Sequence, residues 1–97
     1  TDINAGVDEF RNTQGAVLLD VRTKEEYNDG HIEGSINIPL QNIYSVQTAI
    51  TDLDKPVFVH CLSGGGSAQA TSILKSMGYK NVENIGGISS FRGEIVR

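Results

Sequence analysis

Val57-Phe58-Val59-His60-Cys61, running into Leu62-Ser63-Gly64-Gly65-Gly66-Ser67, is the stretch that most restricts what this chain can become. An apolar run ends in the only cysteine and then in three consecutive glycines. Val57, Phe58 and Val59 are β-formers and too few for a helix, so they predict a short buried strand that delivers Cys61 to its C-terminal end. Downstream, Ala70, Ile73, Leu74 and Met77 repeat at helical spacing, with Ser67 before them as the expected N-cap. The predicted unit is strand, glycine-rich loop and helix, with a thiol where the strand meets the loop.

Such a unit is a cradle for negative charge. Glycines let the loop turn its backbone N–H groups inward, and the following helix adds partial positive charge at its start. A thiolate, a persulfide or an oxyanion would be stabilised there. The same field should lower the Cys61 pKa and enrich the nucleophilic thiolate near neutral pH. The competing reading is an inert buried cysteine before a plain turn. The placement at a strand end, ahead of the glycines and a capped helix, favours the reactive one.

The rest of the chain supplies a small α/β domain. Its 97 residues suit one compact unit, residues 1–97, and 38% hydrophobic residues allow an adequate but modest core. Ile3 suggests a short first strand, and Asn4 a cap for a helix with Ala5, Val7 and Phe10 on its apolar side. Ala16-Val17-Leu18-Leu19 reads as a central parallel strand covered on both faces. Thr23-Lys24-Glu25-Glu26 is a capping-box pattern opening a brief helix that Asn28-Asp29-Gly30 stops. His31–Ser35 reads as a loop, Ile36-Asn37-Ile38 as a strand, and Leu40, Ile43, Tyr44 and Val46 as an amphipathic turn or two. Gly78 is the expected C-terminal stop of the cysteine helix, and Val82–Ile85 the last strand. Strands alternating with helices at this length predict a small central parallel sheet flanked by helices on both faces.

Charge and cysteine usage exclude several classes. A net charge of −4 with scattered basic residues argues against nucleic-acid or anionic-membrane binding. No apolar run reaches spanning length, and one cysteine cannot form an intramolecular disulfide. A cytoplasmic setting is the default expectation. A periplasmic one is the alternative if a leader has been removed, because the chain starts at Thr1 without Met. With His31, His60 and Cys61 far apart or opposed, the residues argue against a metal site. A monomer is the plain expectation for an acidic surface, with Ile43, Tyr44 and Val46 as candidates for a small contact patch.

Three segments carry a family resemblance. Leu18-Leu19-Asp20-Val21-Arg22, Glu26-Tyr27 and Gly30-His31-Ile32-Glu33-Gly34-Ser35-Ile36-Asn37-Ile38-Pro39 form the first. Val59-His60-Cys61-Leu62-Ser63-Gly64 with Ser67-Ala68 forms the second, and Gly78-Tyr79, Val82 and Gly86-Gly87-Ile88 the third. In this order and spacing the chain resembles the rhodanese-like domain family over nearly its whole length. The resemblance implies a central parallel sheet flanked by helices and a cysteine that carries sulfane sulfur as a persulfide. Cys61 would be the carrier, and the N–H groups of Leu62, Ser63, Gly64, Gly65 and Gly66, with Ser67 at the helix start, would line the cradle. A small-molecule donor would sulfurate Cys61, and a thiol, cyanide or a partner protein would take the sulfur away, with no metal or organic cofactor needed.

Two departures from the family pattern are visible. Many active relatives carry a basic residue late in the loop, where this chain has Gly66, and losing that contact would forfeit roughly 1–3 kcal/mol of anionic-donor binding. A persulfide or polysulfide is therefore the expected donor ahead of thiosulfate. Phe91 stands where relatives often carry tryptophan, which keeps the packing role.

The His60-Cys61 start also resembles cysteine phosphatases. Those need an arginine at the far end of the loop, where this chain has Ser67, and no arginine lies between Cys61 and Phe91. Asp20 and Arg22 read first as a charged pair tying loops together, with Arg22 retained as a candidate substrate contact. His31 reads as a satisfied loop histidine, and strand alternation points His60 away from Cys61. The functional expectation is a sulfurtransferase, and the alternative is a weakly active binding or regulatory module cut from a larger protein.

Overall fold

A computed structural model describes residues 2–97. Asp2 opens the first helix, α1 (Ile3–Arg11), its Oδ1 accepting the N–H groups of Asn4 and Ala5 at 2.8 and 3.0 Å. The expected first strand at Ile3 and the cap at Asn4 are thus both corrected. Once Asp2 satisfies the orphan N–H groups, Ile3 and Val7 fall one turn apart on the buried side of a helix.

The central sheet is formed by β1 (Val17–Asp20), β3 (Ser35–Asn37), β4 (Val57–Cys61) and β5 (Val82–Gly87), all parallel, in the order β3-β1-β4-β5. Between β1 and β3 lies α2 (Lys24–Asp29), which opens on the reciprocal Thr23–Glu26 capping box that the sequence announces. The expected loop at His31–Ser35 contains a short strand, β2 (His31–Ile32), which pairs antiparallel with β6 (Ile95–Val96) near the C-terminus. That pairing joins segments more than sixty positions apart, so no local pattern announces it.

Residues Leu40–Ser45 form a 3₁₀ turn that runs into α3 (Val46–Ala49). Ile43 and Val46 are buried in the core and only Tyr44 is exposed, so the expected contact patch is corrected to a core-facing turn. The long helix α4 (Gly65–Ser76) begins two residues earlier than its expected cap at Ser67. Gly64 is the N-cap instead, because its φ of +109° reverses the chain tightly enough for the helix to start at once. Gly78 follows the helix end as expected.

Strand alternation divides the core into two layers. Leu19, Val57, Val59 and Cys61 face α4, α3 and the 3₁₀ turn, together with Ala70 and Leu74. Leu18, Phe58 and Ile85 face α1 with Ile3 and Val7 on the other side. Helices therefore cover both faces of the sheet, and burial of each large aliphatic side chain contributes about 1.5–3 kcal/mol of transfer free energy. The site lies at the C-terminal edge of β4, between its neighbours β1 and β5.

Candidate active site

Cys61 is the last residue of β4, on the α4 face, with 6% of its surface exposed. The chain turns immediately, so the Gly64 N–H donates to Sγ at 2.9 Å. Ser67, in the first turn of α4 and fully buried, brings Oγ to 3.4 Å from Sγ. Gly65 and Gly66 occupy the same turn, where backbone N–H groups have no helical acceptor. No acidic side chain sits there to oppose an anion.

Burial pushes the Cys61 thiol up. The Ser67 hydroxyl, with the N–H groups of Ser67, Gly64 and Ser63, outweighs that cost and holds the thiol below its ordinary value. Every group acting downward is a neutral donor, so the thiolate is stabilised by oriented dipoles and not by a neighbouring cation.

The wall of the site comes from β5. A register shift opposite Val59 and His60 inserts one residue, so that Val59 pairs with Asn84 and His60 with Gly86. Asn84 Oδ1 accepts the Gly86 N–H at 3.0 Å and lies 2.7 Å from Ser67 Oγ. Gly87 passes directly against the backbone of Leu62 and Ser63, and the Leu62 carbonyl accepts the Ser89 N–H at 3.1 Å. The local sequence marks Asn84 only as a strand residue. Its contact with Ser67 spans 17 positions and depends on the bulge, which no local signal reveals.

The residues expected at the site are placed as follows. Ser63, Gly64, Gly65, Gly66 and Ser67 form the turn around Sγ, and the Leu62 side chain is half-exposed on its rim. A Cβ added at Gly66 would lie 3.8 Å from Sγ and 3.9 Å from Leu40 Cδ2. Arg22 follows β1, where the Val21 N–H meets the His60 carbonyl at 3.0 Å. Its Nε and Nη2 grip Asp20 at 2.8–3.1 Å, and Nη2 also donates to the Gly30 carbonyl at 2.7 Å. The guanidinium is thus engaged in fixing the turn after β1.

His60 is buried on the opposite face from Cys61, with Nε2 3.8 Å from Asp20 Oδ2. Burial drives its pKa down, and the Asp20 carboxylate offsets only part of that, so the ring is neutral near neutral pH. Among the described residues, no group of three His, Cys, Asp or Glu side chains is placed to hold a metal ion. A surface cavity of about 630 Å³ between α2 and the 3₁₀ turn is lined by Thr23, Tyr27, Asn37 and Gln41 among others and by no residue of the cysteine loop.

A parallel sheet with a lone cysteine ending a central strand, cradled by the N-terminus of the next helix, defines a class of α/β domain built around a single buried thiol. Residues 5–94 match the rhodanese-like domain, and the chain belongs to that family. It is 45% identical over 71 residues to thiosulfate sulfurtransferase PspE of Escherichia coli K12, an alignment covering 72% of this chain and 68% of PspE. It is 35% identical over 95 residues to adenylyltransferase and sulfurtransferase uba4 of Ogataea parapolymorpha, covering 97% of this chain but 24% of that longer protein. Among solved structures, a rhodanese with anions from E. coli superposes with a TM-score of 0.78 at 40% identity, covering 84% of this chain and 98% of the other.

Proposed function

We propose that this domain is a sulfurtransferase that moves sulfane sulfur through a persulfide on Cys61. The observation that carries the reading is the Gly64 N–H directed at Sγ at 2.9 Å, at the mouth of a twelve-residue helix. Two relatives named as sulfurtransferases support it.

In the first half-reaction the Cys61 thiolate attacks the outer sulfur of a donor. The Sγ–S bond forms as the donor's own bond to that sulfur breaks, releasing a thiolate from a persulfide or sulfite from thiosulfate. In the second, a thiolate or cyanide attacks the outer sulfur and Cys61 leaves as thiolate. Electrons balance in each exchange without an added oxidant or reductant. The N–H groups of Ser63, Gly64 and Ser67 stabilise the anion in both states, as preorganised donors do for an oxyanion.

The donor is a thiol persulfide or a polysulfide in preference to thiosulfate. Residues 62–67 contain no basic side chain, and Arg22 is committed to Asp20 and Gly30, so nothing in the loop neutralises a dianion. The acceptor is a small thiol, cyanide or a protein thiol. A reducing compartment such as the cytoplasm suits a chain whose only cysteine must remain free.

Intact-mass spectrometry after incubation with glutathione persulfide, polysulfide or thiosulfate tests the reading. A gain of about 32 Da that maps to Cys61, is removed by cyanide and is absent in Cys61→Ser is the expected result. No adduct from any donor on the folded protein would overturn it and leave a binding module.

A further inference from the structure

Ser67 Oγ has four neighbours: Asn84 Oδ1 at 2.7 Å, the Gly64 carbonyl at 3.0 Å, the Gly86 carbonyl at 3.3 Å and Cys61 Sγ at 3.4 Å. Three are oxygens that only accept. The hydroxyl has one hydrogen to give. The Asn84 amide cannot relieve the competition by turning its NH₂ toward Ser67, because its Oδ1 already accepts the Gly86 N–H at 3.0 Å. The shortest of the four contacts is therefore the natural destination of the Ser67 hydrogen, and a Ser67 lone pair is left facing sulfur.

That arrangement suits a protonated Cys61, whose S–H can point at the lone pair. It does not suit a thiolate, which needs the hydrogen itself. We propose that Asn84 is a positioning residue that sets the direction of the Ser67 hydroxyl and through it the thiolate fraction of Cys61. The O–H turns toward Asn84 when Sγ is a thiol or is bonded to a second sulfur, and toward Sγ when the thiolate is free. No bond breaks in this turn. It rests on the carrier reading in giving the hydroxyl one partner for each state of the cycle, so that neither state buries a donor without an acceptor.

The charged groups at the ends of β1 and β4 do not account for the same behaviour, and no charged side chain is among the groups that shift the Cys61 thiol. Asp20 and Arg22 are bonded to each other at the end of β1, and His60 lies on β4 with its ring on the opposite face. The donors acting on the thiol come from the loop and from α4.

The experiment reads the pH midpoint of Cys61 alkylation by iodoacetamide, without any sulfur donor, so its failure is separate from failure of the carrier reading. Asn84→Ala removes the strongest competitor and should lower the midpoint by about half a pH unit, roughly threefold more thiolate at neutral pH. In a Ser67→Ala background the same substitution should leave the midpoint unchanged. Asn84→Asp keeps an acceptor for the Gly86 N–H, and so preserves the bulge, but holds the hydroxyl hydrogen harder. It should raise the midpoint by about one pH unit, and by less than half as much in the Ser67→Ala background. Unmoved midpoints in the single variants, or shifts of equal size with and without Ser67, overturn the proposal. If Asn84→Ala disturbs the fold, the Asn84→Asp pair alone decides.

Discussion

Gly87 lies so close to the cysteine loop that a Cβ on it would overlap the Leu62 carbonyl oxygen and come within 2.6 Å of Ser63 Cα. Both obstacles are backbone, which cannot move aside as a flexible side chain can. The end of β5 therefore fixes where the loop after Cys61 runs. Gly87→Ala should cost about 1–3 kcal/mol in urea unfolding, as overpacking does, and slow Cys61 alkylation by displacing the Gly64 N–H. Gly65→Ala is the control, since nothing lies within 4 Å of an added Cβ there, and its unfolding curve should stay close to that of the parent chain. Equal effects at both positions would contradict the close-approach argument.

Gly66 offers the opposite situation. A Cβ there would lie 3.6 Å from Cys61 Cβ and 3.8 Å from Sγ, ordinary contact distances, so a side chain can begin beside the sulfur without a clash at its first atom. Gly66→Arg should raise kcat/KM for thiosulfate by roughly 10–100-fold, the worth of one charge-assisted contact, while turnover from glutathione persulfide changes much less. Equal gains for both donors would show that the charge does not act on the dianion.

What could be read from the sequence was what neighbouring residues settle among themselves. The strand, the cysteine and the start of α4 are contiguous, and the Thr23–Glu26 capping box is complete within four residues. The structure departs from the sequence pattern where two local signals compete. Asp2 and Asn4 are both good caps, and Ser67 outranks glycine as a cap until Gly64 adopts positive φ and starts the helix early. Ile43 and Val46 are buried although their local pattern suits a surface patch, because a short amphipathic turn does not say what it packs against. The β2–β6 pairing, the Gly87 contact and the bond between Asn84 and Ser67 all join distant segments, and only the assembled sheet creates them.

The lowered thiol of Cys61 carries a stability signature. Its folded pKa lies below the reference value of 9.0, so between the two the unfolded chain binds more protons and stability rises with pH. The alkylation midpoint of the native protein should accordingly lie below that of the urea-unfolded chain. Replacement by Cys61→Ala should flatten the rise of unfolding free energy in the pH range below the thiol's reference value of 9.0. Coincident native and unfolded midpoints would refute the cradle's electrostatic role.

His60 works in the other direction along the pH scale. Burial pushes its pKa down from 6.5, and Nε2 has no hydrogen-bond partner, with Asp20 Oδ2 at 3.8 Å already bonded by Arg22. Below about pH 6.5 the unfolded chain protonates this histidine while the folded one resists, so stability falls as pH falls, by at most about 1.4 kcal/mol per pH unit for one site. Urea unfolding at pH 7.5, 6.5 and 5.5 should show that loss. His60→Asn should be less stable at pH 7.5, because it removes buried volume, yet lose less between pH 6.5 and 5.5. Parallel losses in the two proteins would assign the slope to other groups and show that the ring accepts its proton without opening the core.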